Sequence, residues 1–361
     1  MGCPKIARCP GKRKLSLEKI EVDTLIVILG ITGNQGGSVA ARFLRDSNFT
    51  IRGITRNPSS TAAQNLAAQG IQIVQADLED PSSLISAFRG ANIIFSVTNY
   101  WESFYSPSGR ARAAELGISI REYAGIVEER QGRNIADAAA SEEILGGLDE
   151  NGFLVSTLSW AEKCSEGRFR ELYHFDAKAK VFPGYVTERH PGLAKKMSCV
   201  QTGYFMSSYK LATTAYFGKL PDGTFQMSFP TDPDKPVPHL AVNTDTGNFV
   251  YAVSQLPPGK SYMAAGSICS WKDYLRIWSD VTGVQARYKQ VTLEEMIENS
   301  PDKEMAKEIG DMFAYSSDPG YDGGDESIWT AEDVRKAGIE CPMTTLEDFM
   351  KGEDWRMVLS Q

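Results

Sequence analysis

No stretch of this 361-residue sequence is apolar for long enough to cross a bilayer. Runs such as 25-LIVILGI-31 fall far short of the ~18 residues that a spanning helix needs, so an integral membrane protein is excluded. Cysteine is sparse and carries no metal or redox pattern. Cys3, Cys9, Cys164, Cys199, Cys269 and Cys341 never form a Cys-x-x-Cys, and no secretory apolar segment precedes them. Reduced thiols are expected, in the cytoplasm or alternatively the nucleus. Histidine is scarcer still: His174, His190 and His239 have no ligand-like spacing, and no metal is expected. Gly-x-Ser-x-Gly and the P-loop signature are both missing, which removes two common catalytic frameworks.

Positive charge is also in short supply, with 38 Lys+Arg against 46 Asp+Glu for a net charge of −8. Residues 283–361 hold 8 basic and 18 acidic side chains, net −10, and residues 1–282 are close to neutral. A protein that tracks phosphate backbones carries a basic surface, so no nucleic-acid partner is expected. The acidic end reads either as a solvated face or as a surface for a protein partner. At the other end, residues 1–23 are too polar to fold alone and are expected to be a disordered extension. Its 12-KRK-14 cluster is a weak nuclear address, and Met1-Gly2-Cys3 lacks the Ser or Thr at position six that acylation prefers, since Ile6 stands there.

What is present, from residue 24 onward, is a strict alternation. The run 24-TLIVIL-29 suits a parallel strand buried on both faces, and a helix follows the turn 30-GITGNQGG-37. Strands are then predicted at 50–55, 71–76, 91–99 and 152–158, with helices at 58–70, 81–90, 129–142 and 173–185. Such alternation predicts an α/β fold, a doubly wound parallel-sheet Rossmann domain. Past residue 200 the regularity weakens. Strands are predicted at 199–205 and 261–266, and a hairpin at 219–229, as in a smaller α+β substrate-side subdomain. The expected division is the extension 1–23, a Rossmann domain over 24–282 that takes in part of the substrate side from about 201–242, and an acidic C-terminal subdomain over 283–361.

Gly30, Gly33 and Gly36 lie between the first strand and its helix. Glycine there permits a tight turn, close approach to a pyrophosphate and close helix packing, with helix amides facing the anion. The end of the second strand reads Thr55-Arg56-Asn57, without the carboxylate that would accept from ribose hydroxyls and repel a 2′-phosphate. Arg56 could pair with that phosphate, so NADP(H) is favoured, with NAD(H) as the alternative; a plain surface arginine is the competing reading. The segment 99-NYWESFY-105 brings aromatic residues to the end of the fourth strand. Tyr100 and Trp101, with Tyr204 at the end of the 199–205 strand, are the candidate contacts to a small-molecule substrate, and core packing explains them equally well.

The strings 28-ILGITGNQGGSVA-40, 52-RGITRNP-58, 76-ADLED-80, 95-FSVTNYWE-102, 132-GRNIADAA-139 and 174-HFDAKA-179 together resemble the NmrA-like family, an atypical branch of the short-chain dehydrogenase/reductases, over roughly residues 24–255. The resemblance implies that Thr32, Asn34 and Gln35 lie along the pyrophosphate and Arg56 beside the adenosine ribose. It further implies Asp77 and Leu78 at the adenine, and Thr98 and Asn99 near the ribose or nicotinamide. Reductases of that superfamily use a Tyr-x-x-x-Lys pair; here the register holds His174-x-x-x-Lys178, and Tyr173 is about 100° away around the helix. Histidine is a competent proton donor near neutral pH, so His174 and Lys178 are the candidate catalytic pair, with Ser156 or Thr157 polarising the substrate. A packed helix that merely contains one histidine and one lysine is the competing reading.

Two functions are compatible with this. One is an NADPH-dependent oxidoreductase acting on a small carbonyl, imine or conjugated olefin, in the fungal secondary-metabolite setting the resemblance implies. The other is a non-catalytic NAD(P)-sensing regulator acting through a protein partner. The retained lysine, the Ser-Thr pair and the aromatic mouth favour the enzyme.

Overall fold

The computed structural model describes residues 23–361. The expectations for residues 1–22, including the Lys12–Lys14 cluster, the N-terminal Met1-Gly2-Cys3 and Cys9, lie outside the described residues.

Strand β1 (Thr24–Ile28) serves two cores at once. Ile26 and Ile28 join a cluster with Val39, Phe43 and Val250, whereas Val27 and Leu29 join one with Leu84, Phe88 and Ile135. Side chains alternate across a strand, so an unbroken apolar run is stable only where both faces are covered. With β2 (Phe49–Thr55), β3 (Gln72–Gln75), β4 (Ile93–Ser96), β5 (Phe153–Thr157), β6 (Met197–Thr202) and β7 (Ser261–Ala264), it forms a sheet ordered β3-β2-β1-β4-β5-β6-β7. Every pairing in that sheet is parallel. The order reverses between β1 and β4, which opens a crevice at the carboxyl ends of these strands.

The helices are α1 (Asn34–Phe43), α2 (Thr61–Ala67), α3 (Pro81–Phe88), α4 (Tyr100–Tyr105), α5 (Pro107–Leu116) and α6 (Ile120–Ala139), followed by shorter ones. Their start signals are local: Ser60 accepts the Ala63 N–H at the head of α2, and Asp80 accepts those of Ser82 and Ser83 ahead of Pro81 in α3. One sheet face is covered by α1 and the Val242–Ser254 helix, the other by α3 and α6.

Two helices differ from the sequence expectation. The helix expected at 129–142 begins nine residues earlier, at Ile120, with Ser119 capping Glu122. Its first half buries Arg121 and Glu128, so charge interrupts the apolar periodicity that would have revealed it. The helix expected over 173–185 is regular only over Tyr173–Ala179, because Phe182, next to Pro183, adopts φ −121° and ψ 96°.

Beyond Gly203 the chain builds two small sheets. Tyr204–Phe205 pairs with Val237–Leu240, which also pairs with Ser267–Cys269. The expected hairpin forms between Gly218–Lys219 and Phe225–Phe229, and Ala286–Gln290 adds to it in parallel. The chain is therefore a doubly wound Rossmann sheet with a smaller α+β subdomain. That subdomain has an aromatic core of Trp271, Trp278, Phe229, Phe313, Tyr315 and Tyr321. Among the described residues Cys164, Cys199, Cys269 and Cys341 are free thiols, and no helix is long and apolar enough to cross a membrane.

Phe313 stacks on Phe229 with ring centroids 3.8 Å apart and on Tyr204 at 5.5 Å. Phe313→Ala should therefore lower unfolding stability by about 3–5 kcal/mol, measured by urea denaturation; a loss under about 1 kcal/mol would mean that this subdomain core is loosely packed.

Candidate active site

The glycine turn separates two demands that a motif merges. Gly30 has φ +60°, and a Cβ on Gly36 would sit 2.3 Å from the Gly30 carbonyl oxygen, so both are required by the strand-to-helix packing itself. Gly33 is different. It is exposed and extended (φ −94°, ψ 177°), and a Cβ there would lie 3.3 Å from the Gly30 carbonyl oxygen, tight but far less so than the 2.3 Å at Gly36. The fold demands glycine less at 33 than at 36, so the open surface above it is the feature to explain. Gly33 is also the N-cap of α1 and has no side-chain cap, leaving first-turn N–H groups without side-chain partners. Thr32 and Asn34 are exposed beside it, and the Gln35 Oε1 is buried with no hydrogen-bond partner. Unpaired donors at a helix start with their positive dipole end form a cradle for an anion, and the residues present suit a dinucleotide pyrophosphate.

On the β2–β3 side, Arg56 is exposed and its Nη2 lies 2.6 Å from Oε1 of Glu102, which α4 carries. More than half of the arginine side chain and half of the glutamate are open to solvent, so the pair contributes at most about 1 kcal/mol. Past β3, Asp77 accepts the Glu79 N–H through Oδ1 at 3.0 Å, and its own N–H donates to the Ser83 hydroxyl. The Leu78 carbonyl accepts from Asn134 Nδ2 at 2.8 Å, so α6 anchors this loop. Asn134 lies within the family-like 132–139 string, yet nothing in its spacing indicates this partner.

At the end of β4, Thr98 donates to Glu128 Oε1 at 2.7 Å, and Lys178 Nζ pairs with the same oxygen while reaching the His174 carbonyl oxygen at 3.4 Å. Glu128 is buried, and its Oε2 has no partner. The structure thus brings Thr98 and Lys178 together through a carboxylate that sequence reasoning missed, because 30 and 50 residues of chain separate it from its two partners. Asn99 is exposed at the head of α4 and makes no capping bond.

His174 occupies the same helix. Its Nδ1 is 2.6 Å from Glu308 Oε1, and its ring lies 5.3 Å from that of Trp101 and 5.7 Å from that of Tyr100. Glu308 was equally hidden in the sequence, inside the acidic segment. Trp101 is half-buried and stays available to a ligand.

Three expected contacts are corrected by the packing and hydrogen-bond partners their side chains already have. Tyr100 is buried with its hydroxyl donating to the Arg121 carbonyl oxygen at 3.0 Å. Tyr204 is buried against Phe313 and Tyr321, bonded to the Ser316 hydroxyl at 2.7 Å. Thr157 donates to the Phe182 carbonyl oxygen at 2.8 Å, which fixes the distorted turn. Apolar surroundings and satisfied hydroxyls make all three packing residues. Ser156 is buried at the carboxyl end of β5. Tyr173 is half-buried, and burial pushes its phenol up to about 12, so it holds its proton at neutral pH.

Asp176 joins this helix to the segment after β5. Its Oδ1 accepts the Glu162 N–H at 3.2 Å, its Oδ2 is buried without a partner, and burial pushes its carboxyl up to about 7.

Comparisons with known proteins identify the family and the fold. The NmrA-like family model matches residues 22–350. The NmrA-like family domain-containing oxidoreductase cpsB of Aspergillus campestris is 30% identical over 277 residues, covering 73% of this chain and 75% of that protein. The corresponding oxidoreductase himF of Aspergillus japonicus is 31% identical over 284 residues, with 73% and 75% covered. Among solved structures, the negative transcriptional regulator NmrA in complex with NADP superposes with a TM-score of 0.67 at 18% identity, covering 92% of this chain and 95% of that one. The NADPH-dependent quinone oxidoreductase QOR2 of Escherichia coli, complexed with NADPH, gives 0.61 at 19% identity, with 90% and 98% covered.

The sign of the Asp176 effect is fixed. An acid with a raised native pKa contributes stability that is present below the unfolded value near 4 and lost as pH rises through about 7. Asp176→Asn has nothing to titrate, so the Tm of the variant relative to the parent should rise between pH 4 and pH 8. A difference that is flat across this range in thermal melts would show that Asp176 ionises normally.

Proposed function

Because the chain belongs to the NmrA-like family, we propose that it is an NADPH-dependent oxidoreductase reducing a small carbonyl, imine or conjugated olefin, with NAD(H) as the alternative cofactor. The observation that carries this reading is an open anion cradle at Gly33, after β1, next to the end of the paired strand β4, where Thr98 shares one buried carboxylate with Lys178. A bound nicotinamide supplies the hydride. Thr32, Asn34 and Gln35 line the pyrophosphate, Arg56 faces the adenosine ribose, and Asp77 and Leu78 flank the adenine. Lys178 has one donor left after Glu128 and the His174 carbonyl oxygen for a ribose hydroxyl near Thr98 and Asn99. His174 supplies the proton that completes reduction, Ser156 orients the carbonyl or imine, and Trp101 packs on the substrate. We place the activity in fungal secondary metabolism, in the cytoplasm or nucleus, where free thiols persist.

A second reading, a dinucleotide-sensing regulator with a protein partner on the acidic region 283–361, is favoured by one observation. The Lys178 ammonium is already paired with a carboxylate, and no tyrosine stands in the His174 register. An NADPH-consumption screen separates the two. Turnover supports the enzyme, whereas binding without turnover, joined to partner binding that depends on NADPH oxidation state, supports the regulator.

Five variants test the site. Gly33→Val should abolish NADPH binding in calorimetry while the circular-dichroism spectrum is unchanged; undiminished affinity would remove the cradle from the site. Arg56→Ala should weaken NADPH by about 1.5–3 kcal/mol and NADH much less. Glu102→Gln, which frees Arg56, should strengthen NADPH by up to about 1 kcal/mol, and equal responses of both cofactors would make Arg56 a bystander. His174→Phe should cut turnover about 10²-fold or more with NADPH affinity nearly unchanged, whereas Lys178→Met should depress both. Full activity of His174→Phe would move the proton source elsewhere.

A further inference from the structure

Glu308 lies in the segment whose acidity suggests a solvated face, yet it is fully buried. One of its oxygens is directed at a single residue. Oε1 accepts the main-chain N–H of His174 at 2.8 Å and stands 2.6 Å from Nδ1 of the same imidazole. Oε2 has no hydrogen-bond partner, and Arg121 Nη1 lies beyond it at 3.7 Å. Arg121 is itself buried and shared with Glu171 and Glu304. A buried charge held this way is a poor source of stability, since well-packed apolar residues of the same volume serve as well or better. Its effect is geometric. The main-chain N–H and a ring nitrogen of one residue converge on one oxygen, fixing the ring against the helix start.

The same contact selects the tautomer. An ionised carboxylate only accepts, so the ring nitrogen facing it must carry a proton. Nε2 has no protein partner among the described residues. Trp101, Tyr100 and Phe175 wall the ring at centroid distances of 5.3, 5.7 and 4.9 Å. Lys178, one turn along, is held by Glu128 rather than by Glu308.

We propose that Glu308 is the positioning residue of His174, keeping a proton on Nδ1 in both protonation states so that Nε2 alone exchanges a proton with the substrate. This rests on the reading of His174 as the proton donor. In the reducing direction the Nε2–H bond breaks, its proton goes to the substrate atom left electron-rich by the hydride, and the neutral Nδ1–H ring remains. The acidic C-terminal segment thereby completes the site from across the molecule.

The test is ¹⁵N NMR of the full-length, histidine-labelled protein, with the His174 signals assigned by their loss in His174→Phe and separated from those of His190 and His239. The neutral ring should show a protonated Nδ1 and a lone-pair Nε2, and NADPH should shift Nε2 more than Nδ1. Glu308→Gln, whose amide offers both a donor and an acceptor, should mix the tautomers and lower turnover at least 10-fold while changing NADPH affinity less than 2-fold. A parent protein carrying its proton on Nε2 overturns the proposal without any variant, as does a Glu308→Gln protein that keeps the Nδ1–H tautomer. Should that variant fail to fold, Glu308→Asp keeps the charge and should partly preserve the parent tautomer; a fully mixed ring there overturns the proposal. These signals require no substrate, so a chain that keeps the tautomer but consumes no NADPH refutes the reductase reading alone.

Discussion

Two buried carboxylates that cannot be left unpaired organise the centre of this protein. Removing a carboxylate from water is expensive enough that each must draw donors and cations around it. Glu128 draws Thr98 from the end of β4 and Lys178 from the Tyr173–Ala179 helix. Glu308 draws His174 from that same helix and Arg121 from α6. The helix is thereby clamped between α6 and the Lys303–Tyr315 helix, and the crevice at the carboxyl ends of the strands acquires a wall of fixed orientation. Asp176 adds a third tie on the far side, to the segment following β5.

The Rossmann half was legible because its signals are local. A strand such as 24-TLIVIL-29 states its burial in its own residues, and Asp80-Pro81 states the start of α3 in two. The cradle was legible as a motif, but only the folded structure separates Gly36, where a Cβ would lie 2.3 Å from backbone, from Gly33, where the nearest atom is 3.3 Å away. What escaped sequence reasoning was long-range or masked. The first half of α6 hides its amphipathic face behind Arg121 and Glu128, which are buried as partners rather than excluded as charges. Tyr100 and Tyr204, expected as substrate contacts with core packing as the equal alternative, are packed side chains, since a ring in sequence does not say which side of the wall it occupies.

The charge imbalance changes meaning in the same way. Residues 283–361 are strongly acidic in sequence, but Glu308 and Asp311 are buried there, and Asp302 and Glu304 face Arg110 and Arg121 of the Rossmann half. Part of the excess is therefore an internal counterweight to the cations of α5 and α6. Net charge counted along a segment describes a surface only where its side chains reach that surface.

The parallel pairing of Ala286–Gln290 with Phe225–Phe229 has a consequence for how the chain is made. A strand that must wait about sixty residues for its neighbour cannot close its sheet while that neighbour is still inside the ribosome, and Phe313, which covers Phe229, emerges later still. During synthesis the Rossmann half can pair its early strands in order, while Phe225, Phe229 and Trp278 remain without their final cover. Such non-local closure slows folding and leaves a nascent intermediate with exposed aromatic surface, the kind of species that chaperones recognise. The last fifth of the polypeptide is thus the step that ends its vulnerability to aggregation.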